Sequence, residues 1–205
     1  MAKKKTSKKS SPKKTKTKRK NDNLAYRMDN RSIKQFKSDI LKRTMKEKFL
    51  LELYIQEQIF LGNTISVEDY GIDNTGKFVE KATTSPDYKI TINGKMALYE
   101  IKSSKSTQIC TFKLHNLKKY VEYNANILLF WGTGNIEDKP EDINYEKTRW
   151  AILTPTNISK MLKNKKPYIE EKFGNKPCIQ IQRNEFDDYF DSNELTFKKS
   201  IKQGD

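Results

Sequence analysis

The chain has little of what builds a zinc site or a disulfide framework. It holds two cysteines, Cys110 and Cys178, far apart in sequence, and one histidine, His115. That supply excludes paired-Cys zinc spacings and a stapled small domain. The two thiols read as small apolar fillers in a reducing compartment. No apolar run reaches the roughly 18 residues of a membrane-spanning helix, so no membrane partner is expected. The basic N-terminus lacks an apolar core segment, which excludes a secretory signal. Acid is absent from residues 1–20, which carry eleven Lys and Arg.

What is present is positive charge, unevenly spread. The net charge is +15, from 41 basic and 26 acidic residues; without the eleven in the tail, 30 basic residues face the same 26 acids. Residues 1–24 therefore read as a disordered basic arm on a mildly basic body, residues 25–190, with 191–205 as a C-terminal tail. Such an arm favours polyanions, in salt-sensitive contacts. The length of 205 residues suits one domain with a real core.

Along the body, a helix is expected from Ser32 to Leu61, with Leu41, Met45, Phe49 and Leu53 repeating every four residues. Alternation of Ile65, Val67 and Tyr70 suggests a strand, and 80–86 a loop. Asp87–Ile92 and Lys95–Lys102 flank Asn93-Gly94, the strongest short-range hairpin signal, because both turn residues need positive φ. A second helix is read over 111–124, with Phe112, Leu114, Leu117 and Val121 inward. The wholly apolar 127–131 reads as a buried strand. Arg149–Leu153 is another strand, Thr156 caps a helix running to about Lys165, and Cys178–Gln182 is a last strand. The order predicts an α/β fold, a mixed central sheet flanked by helices.

Chemistry concentrates in the hairpin. With a two-residue turn, paired positions sum to 187, so Ile92 faces Lys95, Ile90 faces Ala97 and Asp87 faces Glu100. Directly opposed residues hold their Cβ atoms about 4.5–5.5 Å apart. Lys102, two residues past Glu100, shares its face. Opposed carboxylates repel unless a cation lies between them, and hard oxygen ligands suit Mg²⁺, with Mn²⁺ able to substitute. Asp87 and Glu100 are the expected metal ligands, joined by the carbonyl of Ile101. Lys102 would orient or deprotonate a water, or stabilise charge on a phosphoryl group. The competing reading is a structural ion cluster in which Lys89 and Lys102 offset the acids. The other Glu-x-Lys triplets, Glu137–Lys139 and Glu170–Lys172, sit in polar stretches and read as solvated.

A further carboxylate is expected from the first helix. Glu52 falls on the stripe of Met45, Phe49 and Ile59, where an acid needs a partner unless that face is open to solvent, the equal reading; Glu47 is the alternative. Ser103, Ser104 and Lys105 follow the site directly and are candidate DNA-backbone contacts. Lys113, His115, Lys118 and Lys119 give the next helix a basic side suited to phosphate.

Pro86-Asp87, followed 13 residues on by Glu100-Ile101-Lys102, resembles the PD-(D/E)xK nuclease superfamily. The resemblance covers about residues 40–131. It implies a restriction-endonuclease-like αβββαβ core, metal binding at Asp87 and Glu100, catalysis by Lys102, and a first-helix acid corresponding to Glu52 or Glu47. Within that superfamily, ATTSPDY (82–88), TFKLHNLKKY (111–120) and RWAILTPTNISKML (149–162) are most similar to Holliday-junction resolvases of the RecU type. Residues 62–80 depart from the family pattern, and no stalk insertion is found. The resemblance implies a Mg²⁺-dependent, structure-selective endonuclease, a homodimer acting on branched DNA in the cytoplasm at the nucleoid, or in a host's cytoplasm if viral. The alternatives are a restriction or repair endonuclease of the same fold, a non-catalytic basic nucleic-acid-binding protein, and an RNA- or ribosome-associated protein.

Overall fold

The computed structural model describes residues 33–71, 84–134 and 148–194. The expected basic arm, most of the 80–86 loop, Glu137–Lys139 and the chain after 194 lie outside them. Helix α1 runs Ile33–Phe60, followed by β1 (Ile65–Asp69), β2 (Tyr88–Ile92), β3 (Lys95–Ser104) and β4 (Ile109–Lys113). Then come α2 (Leu114–Glu122), β5 (Ala125–Trp131), β6 (Arg149–Leu153), α3 (Pro155–Asn164), β7 (Tyr168–Glu170), β8 (Lys176–Gln182) and β9 (Asp191–Glu194). Six strands form a mixed sheet in the order β1-β2-β3-β5-β6-β9, with β3 and β5 parallel. Strands β4, β8 and β7 form a second, antiparallel sheet. The fold is thus α/β, with a mixed central sheet flanked by helices.

β5 is the axis of the packing. Its alternate residues Ile127, Leu129 and Trp131 enter a core made with α2, α3 and the second sheet. Leu128 and Phe130 enter another core, made with α1 and the β2–β3 hairpin. Burial on both faces is why the strand reads as an unbroken apolar run. On β3, Tyr99 and Ile101 belong to the α1 side while Leu98 packs on the other. By alternation Glu100, Lys102 and Ser104 share the face of Leu98.

Several expectations are corrected. Residues 111–113 are the end of β4, not helix: Thr111 and Phe112 pair with Gln180 and Ile179 of β8, a long-range ladder that overrides the helical reading. The cap of α3 is Thr154, which accepts the Asn157 N–H at 3.2 Å, with Pro155 in the first turn; it is not Thr156. β8 is not the last strand. β9 follows and pairs with β6, so the sheet continues past residue 190 to Glu194. Leu41 and Met45 do not face the core; they are 48% and 53% exposed. The buried side of α1 carries Lys46, Leu50, Leu53, Tyr54 and Glu57 instead. Two polar groups on that side are fixed by specific bonds. The Trp150 indole donates to Glu57 at 2.8 Å, and the Lys46 ammonium donates to the Thr133 carbonyl at 2.8 Å. Lys46 therefore ties α1 to the chain just after β5. Cys110 and Cys178 are buried free thiols, as expected of fillers. Among the described residues no helix is long and apolar enough to cross a membrane.

The hairpin turn has the expected register, Ile92 opposite Lys95 and Ile90 opposite Ala97. Asn93 and Gly94 have φ of 50° and 77°. Asn93 also braces the start of β1: its Oδ1 accepts the Thr64 N–H at 2.9 Å and its Nδ2 donates to Asn63 at 2.7 Å. Replacing Asn93 with Ala adds left-handed strain and removes both bonds. A loss of about 1–3 kcal/mol is expected in denaturant melts, with Asn93→Gly losing less because it keeps the φ freedom.

Candidate metal-dependent active site

The end of β2 places the first acid. Ladder pairing stops at Tyr88–Tyr99. One residue earlier, the Asp87 carbonyl accepts the Tyr70 and Gly71 N–H groups at 3.0 and 3.1 Å. Gly71 lies so close that a Cβ there would sit 2.7 Å from the Pro86 carbonyl oxygen, so this approach requires glycine. With its backbone so occupied, Asp87 continues the ladder with its side chain: Oδ2 accepts the Ile101 N–H at 2.8 Å. The N–H and C=O of one strand residue point to the same side. The Ile101 carbonyl therefore faces the Asp87 side too, beyond the end of β2, as a metal ligand there would need.

Glu100, 5% exposed, and Lys102 form a close ion pair on the opposite strand. The Tyr120 hydroxyl, from α2, bonds Glu100 from the other direction. Tyr120 is 2% exposed. The sequence reading missed it, although its spacing of three from Leu117 puts it on the buried side of α2.

The helix carboxylate is Glu47. Its Oε1 accepts the Ser103 hydroxyl at 3.3 Å, and it acts electrostatically on Asp87 and Lys102. Glu52 is exposed and does not join the cluster. The stripe that suggested it, through Met45 and Ile59, faces solvent at 53% and 59% exposure. Lys46, anchored beside it, holds the Glu47 turn of α1 against the sheet.

Crowding of acids sets the electrostatics. Burial, then the neighbouring Glu100, push the Asp87 carboxyl up to about 7, against the opposing pull of Lys102 and the Ile101 N–H. Burial raises Glu47 as well, with Lys102 and Arg43 opposing. Burial works to lower Lys102, but Glu100, Tyr120, Glu47 and Asp87 outweigh it and hold the ammonium well above its ordinary range. Among the described residues no three His, Cys, Asp or Glu side chains form a metal-holding group by themselves. A cation here would draw on the two hairpin carboxylates and the Ile101 carbonyl, a hard-oxygen set that fits Mg²⁺ or Mn²⁺.

The candidate DNA contacts divide. Ser103 is engaged by Glu47, and Ser104 donates to the Ile109 carbonyl at 3.4 Å. Lys105, His115 and Lys118 are exposed. Lys113 is half-buried, its ammonium 5.3 Å from the Phe173 ring centre. Its pKa is lowered by burial and by Lys176, Lys102 and Arg43, so cations from β4, β8, β3 and α1 gather at one side of the site. Arg43 and Lys176 had no distinguishing local signal in the sequence. No family model matches the chain, and no curated protein matches it.

The raised Asp87 has a stability consequence. The folded chain holds its proton up to about pH 7, whereas the ordinary value is 3.8. Asp87 thus favours the folded state fully below about pH 4, and that contribution is lost as pH rises to about 7. In metal-free buffer Asp87→Asn should flatten the fall in melting temperature over that window and melt higher than wild type at pH 8. Parallel wild-type and variant curves would contradict the assigned electrostatics.

Proposed function

We propose that the protein is a metal-dependent endodeoxyribonuclease whose centre is Asp87, Glu100 and Lys102. The observation that carries this is the convergence of Asp87, Glu100 and Glu47 on one lysine, Lys102, at the end of a hairpin. Burial and the neighbouring acids disfavour ionised Asp87, and a divalent cation stabilises carboxylates packed this way. Asp87, Glu100 and the Ile101 carbonyl would hold Mg²⁺ or Mn²⁺. When bound, the ion would polarise a phosphoryl oxygen and acidify a water.

The residues of the chain supply the rest. Glu47 and Tyr120 position Lys102 and Glu100 from the two flanking helices. The carboxylates keep Lys102 as an ammonium, so it serves to stabilise the negative charge growing on the phosphate rather than to remove a proton. Arg43, Lys113 and Lys176 offer positive charge where a DNA strand would enter. The order of elements is compatible with the PD-(D/E)xK core, with β4 added before α2. Preference for branched DNA, a homodimer and a nucleoid or host-cytoplasm location come from the resolvase resemblance alone and are part of the proposal.

The test is cleavage of junction, flap, linear and single-stranded DNA by the full chain with Mg²⁺ and with chelator. Asp87→Asn, Glu100→Gln and Lys102→Ala should each lower the rate at least about a hundredfold. Glu47→Gln should lower it about ten- to hundredfold through the loss of positioning, and Glu52→Gln should leave it unchanged. Equal cleavage by wild type and Asp87→Asn, or none by wild type on any substrate, would sink the proposal.

A further inference from the structure

Beyond Lys102 the same face of the sheet leads to a second cationic feature, built on different elements. Ser104, two residues on, pairs with Trp131 of β5. The Arg183 guanidinium lies over the Trp131 ring, 5.8 Å from its centre, and 5.4 Å from that of Phe186. Those two rings meet edge-to-face at 5.0 Å, so the cation rests on a rigid aromatic corner. The Arg183 backbone N–H donates to the Gln108 carbonyl at 2.7 Å, which closes the open end of the β4–β8 ladder.

A recess of about 510 Å³ opens at this ladder end, lined by Gln108, Ile109, Gln182, Arg183 and Asn184. Among the described residues its polar lining is one arginine and three amides; the Glu185 carboxylate beside it is taken up by the Gln182 N–H at 3.0 Å and by Lys165. Among the described residues the Arg183 guanidinium has no hydrogen-bond or ion-pair partner, only the two rings. Arg183 is exposed, and a guanidinium carries a planar fork of donors that matches a phosphate. Amides beside it donate without adding repulsion.

Spacing connects the recess to the proposed chemistry. At about 3.3 Å per residue, Ser104 lies roughly 7 Å along β3 from Lys102, and its β5 neighbour Trp131 carries Arg183. We infer that Arg183, with Gln108, Gln182 and Asn184, is a phosphodiester-binding subsite that grips the substrate strand outside the proposed cleavage centre. The inference rests on the nuclease reading for its purpose, but binding tests it without cleavage.

The experiment uses the full chain, a fluorescein-labelled 12-base-pair duplex without metal, and anisotropy over a range of salt. One lost phosphate contact should reduce the salt slope of Arg183→Gln by about 0.9, which corresponds to about fivefold weaker binding at 0.15 M salt. Arg183→Lys should keep the slope. Melting curves check that each variant folds. Should Arg183→Gln fail to fold, the paired change Gln108→Ala and Asn184→Ala leaves the aromatic stack intact and should still weaken binding. Wild-type affinity and slope in every folded variant would overturn the subsite. A wild type that cleaves nothing, with the slope still reduced in Arg183→Gln, would reject the nuclease reading and leave the subsite standing.

Discussion

The site depends on one backbone event, the stop of the β2–β3 ladder at Tyr88, one residue after Asp87. Because the ladder stops there, the Ile101 N–H would be left unpaired, and Asp87 turns its side chain in to take it. That single bond brings a carboxylate to the edge of β3, next to Glu100 and Lys102. The resulting crowding of acids is unfavourable in itself. It persists because the sheet, α1 and α2 over-determine it: the Gly71–Pro86 approach fixes Asp87, Lys46 fixes the Glu47 turn, and Tyr120 bonds Glu100.

Local physics made the hairpin legible in the sequence. Asn93-Gly94 demands positive φ at both residues, and a two-residue turn fixes the pairs from Ile92–Lys95 to Tyr88–Tyr99 by counting; the expected Asp87–Glu100 pair lies past the end of that ladder, where Asp87 bonds the Ile101 N–H instead. The strands at 127–131 and 149–153 were legible from apolar composition alone. What escaped were decisions taken at long range. Thr111 and Phe112 suit either helix or strand, and only β8, nearly seventy residues later, selects the strand.

The α1 face was misread for a related reason. The helix is apolar nearly all round its second half, and its buried side includes Lys46, Glu57 and Gln58. Periodicity then gives no unique direction, and Glu52 took the place that belongs to Glu47. Polar groups on that side are tolerated because each has a bonded partner, Glu57 with Trp150 and Lys46 with the backbone after β5. Those partners lie about ninety residues away, where no window along the chain could see them.

The central claim is that the acids at the hairpin end share a divalent cation. Mn²⁺ titration followed by electron paramagnetic resonance tests it without DNA or turnover. The account predicts one tight site per chain in wild type and in Glu52→Gln, lost in Asp87→Asn and in Glu100→Gln. Equal Mn²⁺ binding by wild type and Asp87→Asn, or no binding by wild type at millimolar ion, would contradict it.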